Sequence, residues 1–174
     1  MTNTLHHEFL RCSIERLRQH CSRIESCLGK LTAEQIWARG SENENAIGNL
    51  VLHLCGNVRQ WIISGVGGTP DIRQRDEEFA ARGGVPAAEL TERLRATIDE
   101  AVVVLERVTA ERLVEPLVIQ AYHESGLGAI YHVVEHFSGH TAQIIFATKM
   151  LTSEDLGFYR HLSGKTETHG GKTA

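Results

Sequence analysis

The stretch AIYHVVEHFSGHTAQIIFATKML, residues 129–151, combines an amphipathic helical pattern with histidines at positions 132, 136 and 140. Read at about 100° per residue, the pattern has one core-facing stripe. That stripe consists of Ile130, Val133, Val134, Phe137, Thr141, Ile144, Ile145, Thr148 and Leu151. His136 and His140 lie on its flank, one helical turn apart. Both imidazoles can therefore reach the same metal ion.

Two histidines are too few for a metal site, because zinc and related ions take at least three protein ligands. The best third candidate is His53, in the second amphipathic segment AIGNLVLHLCGNVRQWI, residues 46–62. His53 lies beside the core-facing apolar stripe of its own helix, as His136 and His140 lie beside the stripe of theirs. Three histidine ligands would leave a coordination position open for water or a substrate.

Spacing alone does not choose between His132 with His136 and His136 with His140. An α-helix rises about 12 Å over eight residues, so one ion cannot take all three imidazoles. His140 lies closer to the apolar stripe than His132, which favours the second pair. The sequence has no H-E-x-x-H motif, because Glu135 directly precedes His136, and it has no GxSxG motif or phosphate-binding loop.

Four amphipathic segments, at about 4–28, 46–64, 87–108 and 129–151, and no convincing alternating strand pattern predict an all-α four-helix bundle. Asn45 is the predicted N-cap of the second helix. The connection 67–85 is rich in glycine and charge, and we expect its charged side chains to face water. Residues 109–128 show no pattern that identifies a helix or a strand.

The chain has 174 residues, which suits one helical domain, residues 1–160, followed by a flexible polar tail, residues 161–174. A net charge of −4 without a basic cluster argues against nucleic acid as a partner. No apolar run is long enough to cross a membrane, and the N-terminus lacks signal-peptide features, so we expect a cytoplasmic protein. The four cysteines lack CxxC spacing and are predicted to be free thiols.

Two motifs, AIGNLVLHLCGNVRQWI at 46–62 and EHFSGHTAQI at 135–144, resemble those of the DinB/YfiT-like family of metal-dependent enzymes. The resemblance is strongest to a bacterial subfamily with Ile-Gly-Asn-Leu at the start of the second helix. The family's metal-binding histidines map onto His53, His136 and His140. One departure is that many members have Arg-Gly-Gln after the last histidine, where this chain has Thr-Ala-Gln.

The resemblance implies a DinB/YfiT-like four-helix bundle, commonly a homodimer, that holds zinc or nickel between its helices. It also implies thiol-dependent transfer or isomerisation with a low-molecular-weight thiol. The residues favour a metal-dependent hydrolase or transferase that activates water or a thiol for a small-molecule substrate. The alternatives are a non-catalytic dimeric module stapled by the metal, and a helical interaction module without metal.

Three details refine these hypotheses. Cys55 lies about 160° round the helix from His53, so it is not expected to be a fourth ligand. Asn57 and Gln143 lie near the histidine flanks and are suited to orienting a substrate or water. Val102 and Val103, just off the stripe of the third helix, are predicted to contribute to a dimer interface.

Overall fold

The computed structural model describes residues 2–162, with side chains from residue 4 onward. The elements in chain order are α1 Thr2–Leu28, α2 Ala33–Trp37, α3 Ile47–Val58, α4 Arg75–Ala80, α5 Ala87–Leu105, α6 Ala110–Val114, β1 Pro116–Ile119, β2 Tyr122–Ser125 and α7 Gly126–Thr152. A π-helical segment, Arg59–Val66, continues α3, and a 3-10 turn follows at Arg160–Leu162. Residues 2–162 are therefore all-α apart from one small hairpin.

The four long helices form a closed ring in which α1 packs on α7, α7 on α3, α3 on α5, and α5 on α1. Each helix contributes the apolar stripe that its sequence period predicts, and these stripes meet in one core. Side chains with an exposed fraction of 2% or less come from all four helices and include Leu17, Ile24, Val51, Leu54, Leu94, Ile98, Val133 and Phe137. The prediction of an all-α four-helix bundle is confirmed.

Helix α3 does not begin with the cap that the sequence suggested. The N-cap is Ala46, not Asn45, and the Oδ1 atom of Asn49 accepts a hydrogen bond from the Ala46 N–H at 3.1 Å. Asn49 is fully buried, and its Nδ2 donates to the carbonyls of Glu78 at 2.8 Å and Ala81 at 3.0 Å. Asn49 thus ties the start of α3 to α4.

The connection 67–85 is largely exposed, as the sequence suggested, but it contains a short helix and two inward-facing charges. Residues 75–80 form α4, which packs on α3. The Glu78 side chain is 10% exposed and the Arg73 side chain 3% exposed, and the two form an ion pair that offsets the cost of their burial. Water-facing charge was therefore the wrong expectation for these two residues.

Residues 109–128 contain α6 and an antiparallel hairpin that pairs Ile119 with Tyr122. Gln120 and Ala121, the two residues of the turn, both have positive φ, at 52° and 65°. Such two-residue turns usually carry Asn-Gly or Asp-Gly, so Gln-Ala gives no turn signal in the sequence. This explains why the hairpin was not predicted.

The other sequence expectations have mixed outcomes. All four cysteines are free thiols, as predicted. Within residues 2–162, no helix is long and apolar enough to span a membrane. The division into a domain and a tail stays a prediction, since residues 163–174 of that tail lie outside the described residues.

Two glycines provide a test of the helix packing. A Cβ at Gly48 would lie 2.7 Å from the Trp37 ring, whereas one at Gly139 on α7 would meet nothing within 4 Å. Because the core is closely packed, we expect Gly48→Ala to lower the free energy of unfolding by about 1–3 kcal/mol. Gly139→Ala should raise it by roughly 0.5–1 kcal/mol, because alanine is the better helix former. Urea denaturation of the metal-free protein measures both, and a Gly48→Ala variant as stable as wild type would contradict this packing.

Candidate metal centre

Three imidazole nitrogens converge where α3 faces α7. The Nε2 atom of His136 lies 3.0 Å from Nε2 of His53 and 3.2 Å from Nε2 of His140. One potential ligand atom from each of the three residues lies within 4.8 Å of the others. The structure therefore brings together the three residues that the sequence singled out.

His132, the alternative that spacing alone left open, lies outside this cluster. Its ring stacks on the His136 ring with centroids 5.5 Å apart and lies 4.2 Å from the Trp61 ring. Its Nε2 atom faces the Asn57 amide nitrogen at 3.5 Å. His132 is therefore a neighbour of the cluster, on the side toward the end of α3.

A buried carboxylate fixes the outer nitrogen of His53. Nδ1 of His53 lies 3.1 Å from Oε2 of Glu78, and Arg73 donates from Nε and Nη2 to the two Glu78 oxygens, each at 2.7 Å. Nη2 of Arg73 also lies 3.1 Å from Nδ1 of His53. Because Nη2 makes the shorter bond to the carboxylate, the arrangement is best satisfied when His53 Nδ1–H donates to Glu78. The lone pair of His53 Nε2 then points into the cluster.

The position of Glu78 depends on a glycine in α3. A Cβ at Gly56 would lie 1.9 Å from Oε1 of Glu78 and 2.8 Å from Nε of Arg73. The Gln60 Oε1 atom accepts a hydrogen bond from Nη1 of Arg73 at 2.8 Å, which holds the guanidinium from its other side. A glycine inside a helical pattern often marks such a close approach, so Gly56 was the available sequence signal for this contact.

Glu78 is a buried carboxylate whose cost of burial is offset by hydrogen bonds. Burial by itself would raise the pKa of its carboxyl group, but the hydrogen bonds from Arg73 and His53 outweigh it and hold the pKa below its usual value. The carboxylate is therefore ionised at neutral pH and can accept the His53 proton. Sequence reasoning missed both Glu78 and Arg73 because they lie in a strongly charged run.

Gln143, which the sequence suggested for orienting a substrate or water, contacts the outer nitrogen of His140 instead. Nδ1 of His140 donates to Oε1 of Gln143 at 2.7 Å. The lone pair of His140 Nε2 therefore also points into the cluster. Asn57, the other residue proposed for an orienting role, contacts His132 instead of a member of the cluster.

His136 is the central member of the cluster. Burial, followed by the nearby His140 and His53, lowers its pKa from 6.5 to about 4, and burial also lowers the pKa of His140. Both rings are therefore neutral at pH 7, which is the form that binds metal. The Nδ1 atom of His136 is buried and has no hydrogen-bond partner among the described residues.

This donor set fits a divalent cation. Nitrogens bound to a tetrahedral zinc ion at 2.0–2.1 Å lie about 3.3 Å apart, close to the two separations in the cluster. Within residues 2–162, no fourth histidine, cysteine or carboxylate joins the group. Cys55 instead lines a cavity with Arg93 and Thr97 that none of the three histidines lines, and burial raises the pKa of its thiol to about 11. As expected, Cys55 is not a fourth member.

The family assignment rests on nearly the whole chain. A family model described as a protein of unknown function (DUF1572) matches residues 4–164. The chain belongs to this family. No curated protein gives a significant match to this DUF1572 chain.

Two solved structures share the fold of the DUF1572 chain. A conserved protein from Enterococcus faecalis superposes with a TM-score of 0.70 at 14% identity, covering 83% of this chain and 97% of that one. A DinB-like protein from Bacillus subtilis, YjoA, gives 0.65 at 15% identity, covering 84% and 96%. The predicted DinB/YfiT-like resemblance is thereby confirmed at the level of fold.

The lowered pKa of His136 predicts acid sensitivity in the metal-free DUF1572 protein. The unfolded chain binds this proton below about pH 6.5, but the folded chain does so only near pH 4. We therefore expect the contribution of this residue to stability to be full above about pH 6.5 and to fall as the pH drops toward 4. Melting temperatures of wild type and His136→Gln between pH 7 and 4 measure it. The melting temperature of His136→Gln should fall less than that of wild type over this range. Parallel curves of melting temperature against pH would contradict a lowered pKa for His136.

Proposed function

We propose that this protein is a metal-dependent enzyme that holds a divalent ion, zinc or nickel, on His53, His136 and His140. The observation that carries the proposal is the convergence of three Nε2 atoms, two of them on imidazoles whose outer nitrogens face Glu78 and Gln143. When bound, such an ion supplies Lewis acidity and lowers the pKa of water or of a low-molecular-weight thiol. The proposed reaction class is hydrolysis or thiol transfer on a small-molecule substrate.

The side chains of the site have distinct roles in this proposal. Glu78 keeps His53 in the tautomer that presents Nε2, and Gln143 does the same for His140. Neutral imidazoles add no negative charge, so the site favours an anionic partner such as hydroxide or thiolate. Carboxylate ligands, in contrast, would neutralise part of the ion's positive charge and reduce that preference.

Unpaired polar atoms beside the cluster support the presence of a further polar occupant. Oδ1 of Asn57, Nε1 of Trp61 and Nδ1 of His136 are all buried without a hydrogen-bond partner among the described residues. All three residues contact His132, so the atoms belong to one neighbourhood. They offer both donor and acceptor capacity to ordered water or to the polar end of a substrate.

A structural metal site is the second candidate function. The three ligands come from two different helices of the bundle, so a metal would also staple α3 to α7. This is the expected arrangement for a non-catalytic, metal-stabilised dimeric module. The two functions differ in whether a coordination position stays open to small molecules.

A homodimer remains part of the proposal. Val102 cannot contribute as expected, because it is 3% exposed and packs in the core of its own chain, whereas Val103 is 46% exposed. The proposal of a dimer rests on the family resemblance and on exposed apolar side chains such as Tyr131, which is 60% exposed.

We expect purified protein to bind about one divalent ion per chain. His53→Ala, His136→Ala and His140→Ala should each lose most of the metal, because two imidazoles hold an ion poorly. His132→Ala is the matched control on the same helix and should keep it. Elemental analysis after exhaustive dialysis measures all four variants. Metal retention by the three ligand variants would exclude the site.

Cobalt(II) substitution separates the enzyme from the structural module. If a position is open, adding a small thiol such as 2-mercaptoethanol should change the visible absorption of the cobalt protein in a saturable way, with little change in melting temperature. A spectrum indifferent to thiol, together with a large loss of thermal stability on metal removal, would favour the structural module. Turnover of an electrophilic substrate with the same thiol, with and without metal, then tests the reaction class.

A further inference from the structure

A second cavity lies between α1, α7 and residues 155–160, away from the histidine cluster. Its volume is about 560 Å³, which is within the usual range for small-molecule sites. On α7 it is lined by the face that carries Ser138, Ala142 and Ile145. None of the three clustered histidines lines it, so it is separate from the proposed metal centre.

Four large apolar side chains line part of the cavity. Ile145 and Phe146 line it from α7, and Leu156 and Phe158 line it from the segment after α7. Phe146 is 67% exposed, although Ile145, Leu156 and Phe158 pack against the core. A ligand with an aromatic or aliphatic body would cover this surface and gain the free energy of apolar burial.

Two of the three cationic side chains at the cavity make no ion pair among the described residues, although one carboxylate, that of Asp155, also lines the cavity. Arg23 lies over the rings of Phe158 and Tyr159, with its Cζ atom 5.5 and 5.4 Å from their centroids. Lys149 lies one turn along α7 from Ile145. Neither takes part in an ion pair within residues 4–162. The third cation, Arg160, is already paired with Asp155.

A buried histidine adds a polar group to the wall. His20 lines the cavity, is 9% exposed, and has an Nδ1 atom without a hydrogen-bond partner among the described residues. That nitrogen is itself out of contact with solvent, so His20 contributes a buried polar side chain to the wall. The cavity thus combines apolar walls with three cationic side chains and one carboxylate, that of Asp155, so the charge of its lining is net positive.

We propose that this cavity binds a small organic anion with an apolar body, such as an aromatic carboxylate. Arg23 and Lys149 bind the carboxylate, and Ile145 and Phe158 contact the body. Residues 163–174, SGKTETHGGKTA, contain no aromatic or large aliphatic residue that would fill the apolar part. A twofold-related second copy would bring the same two cations to the same surface, which disfavours it as the occupant.

Calorimetric titration of the full-length protein with 2-naphthoate tests the proposal. Saturable binding of one ligand per chain is the expected result, with 2-naphthalenemethanol, the uncharged analogue, at least about tenfold weaker. Arg23→Gln and Lys149→Gln should each weaken naphthoate binding by roughly tenfold. Arg107→Gln, which removes an exposed cation outside the cavity, is the matched control and should leave it unchanged.

Arg23→Gln or Lys149→Gln could also disturb the local fold. A variant that fills the cavity tests the site without removing a charge. Ala142 lines the cavity and is exposed, so Ala142→Trp should abolish naphthoate binding without lowering the melting temperature. His53→Ala should bind naphthoate as wild type does, which separates this site from the proposed metal function. Three outcomes would overturn the proposal. They are no binding to wild type, equal binding of the uncharged analogue, and conversion of a dimer to a monomer by Ala142→Trp, which would identify the cavity as an interface.

Discussion

The hydrogen bond between His53 and Glu78 is the contact on which the candidate site depends. It sets the tautomer of the one histidine that α3 contributes, and together with the hydrogen bonds of Asn49 it joins α4 to α3. A carboxylate buried in this way is costly unless it is paired, and Arg73 supplies that pairing through two bonds of 2.7 Å. Losing Arg73 would leave an unpaired buried charge next to the cluster.

The surrounding residues make this contact sterically and geometrically possible. Gly56 leaves room for the carboxylate against the helix, and Asn49 holds the backbone of Glu78 at 2.8 Å. Gln60 accepts from Arg73 at the start of the π-helical segment, the kind of irregularity that often accompanies functional sites. The site is therefore built from α3 and from a segment brought to it across a long connection, with α7 supplying the other two histidines.

Local periodicity predicted those parts of the structure that depend on a single helix. The stripes of the four long helices, the flank positions of His53, His136 and His140, and the proximity of Gln143 to His140 all follow from the helical repeat. The roles of Glu78 and Arg73 do not, because a charged run has no period that reveals which member turns inward. The hairpin escaped prediction because Gln120 and Ala121 adopt left-handed conformations that their residue types do not signal.

Helix α7 presents three different faces to its surroundings. One face packs in the core through residues such as Phe137, a second carries His136 and His140, and a third lines the cavity with Arg23 and Lys149 nearby. The two solved relatives share the fold at 14% and 15% identity, so they do not assign a reaction to any of these faces. Function has to be argued from the side chains themselves.

The metal affinity of a Glu78→Gln variant tests the central claim most directly. Glutamine keeps the size of the side chain but removes the charge that orients His53, and outer partners of this kind contribute about 10- to 100-fold in metal affinity. Glu77→Gln, on the exposed side of the same helix, is the matched control. Competition with a zinc chelator should report a zinc dissociation constant 10- to 100-fold larger than that of wild type for Glu78→Gln. The constant should be unchanged for Glu77→Gln, and both variants should be folded. Equal affinity in wild type and Glu78→Gln would contradict the account.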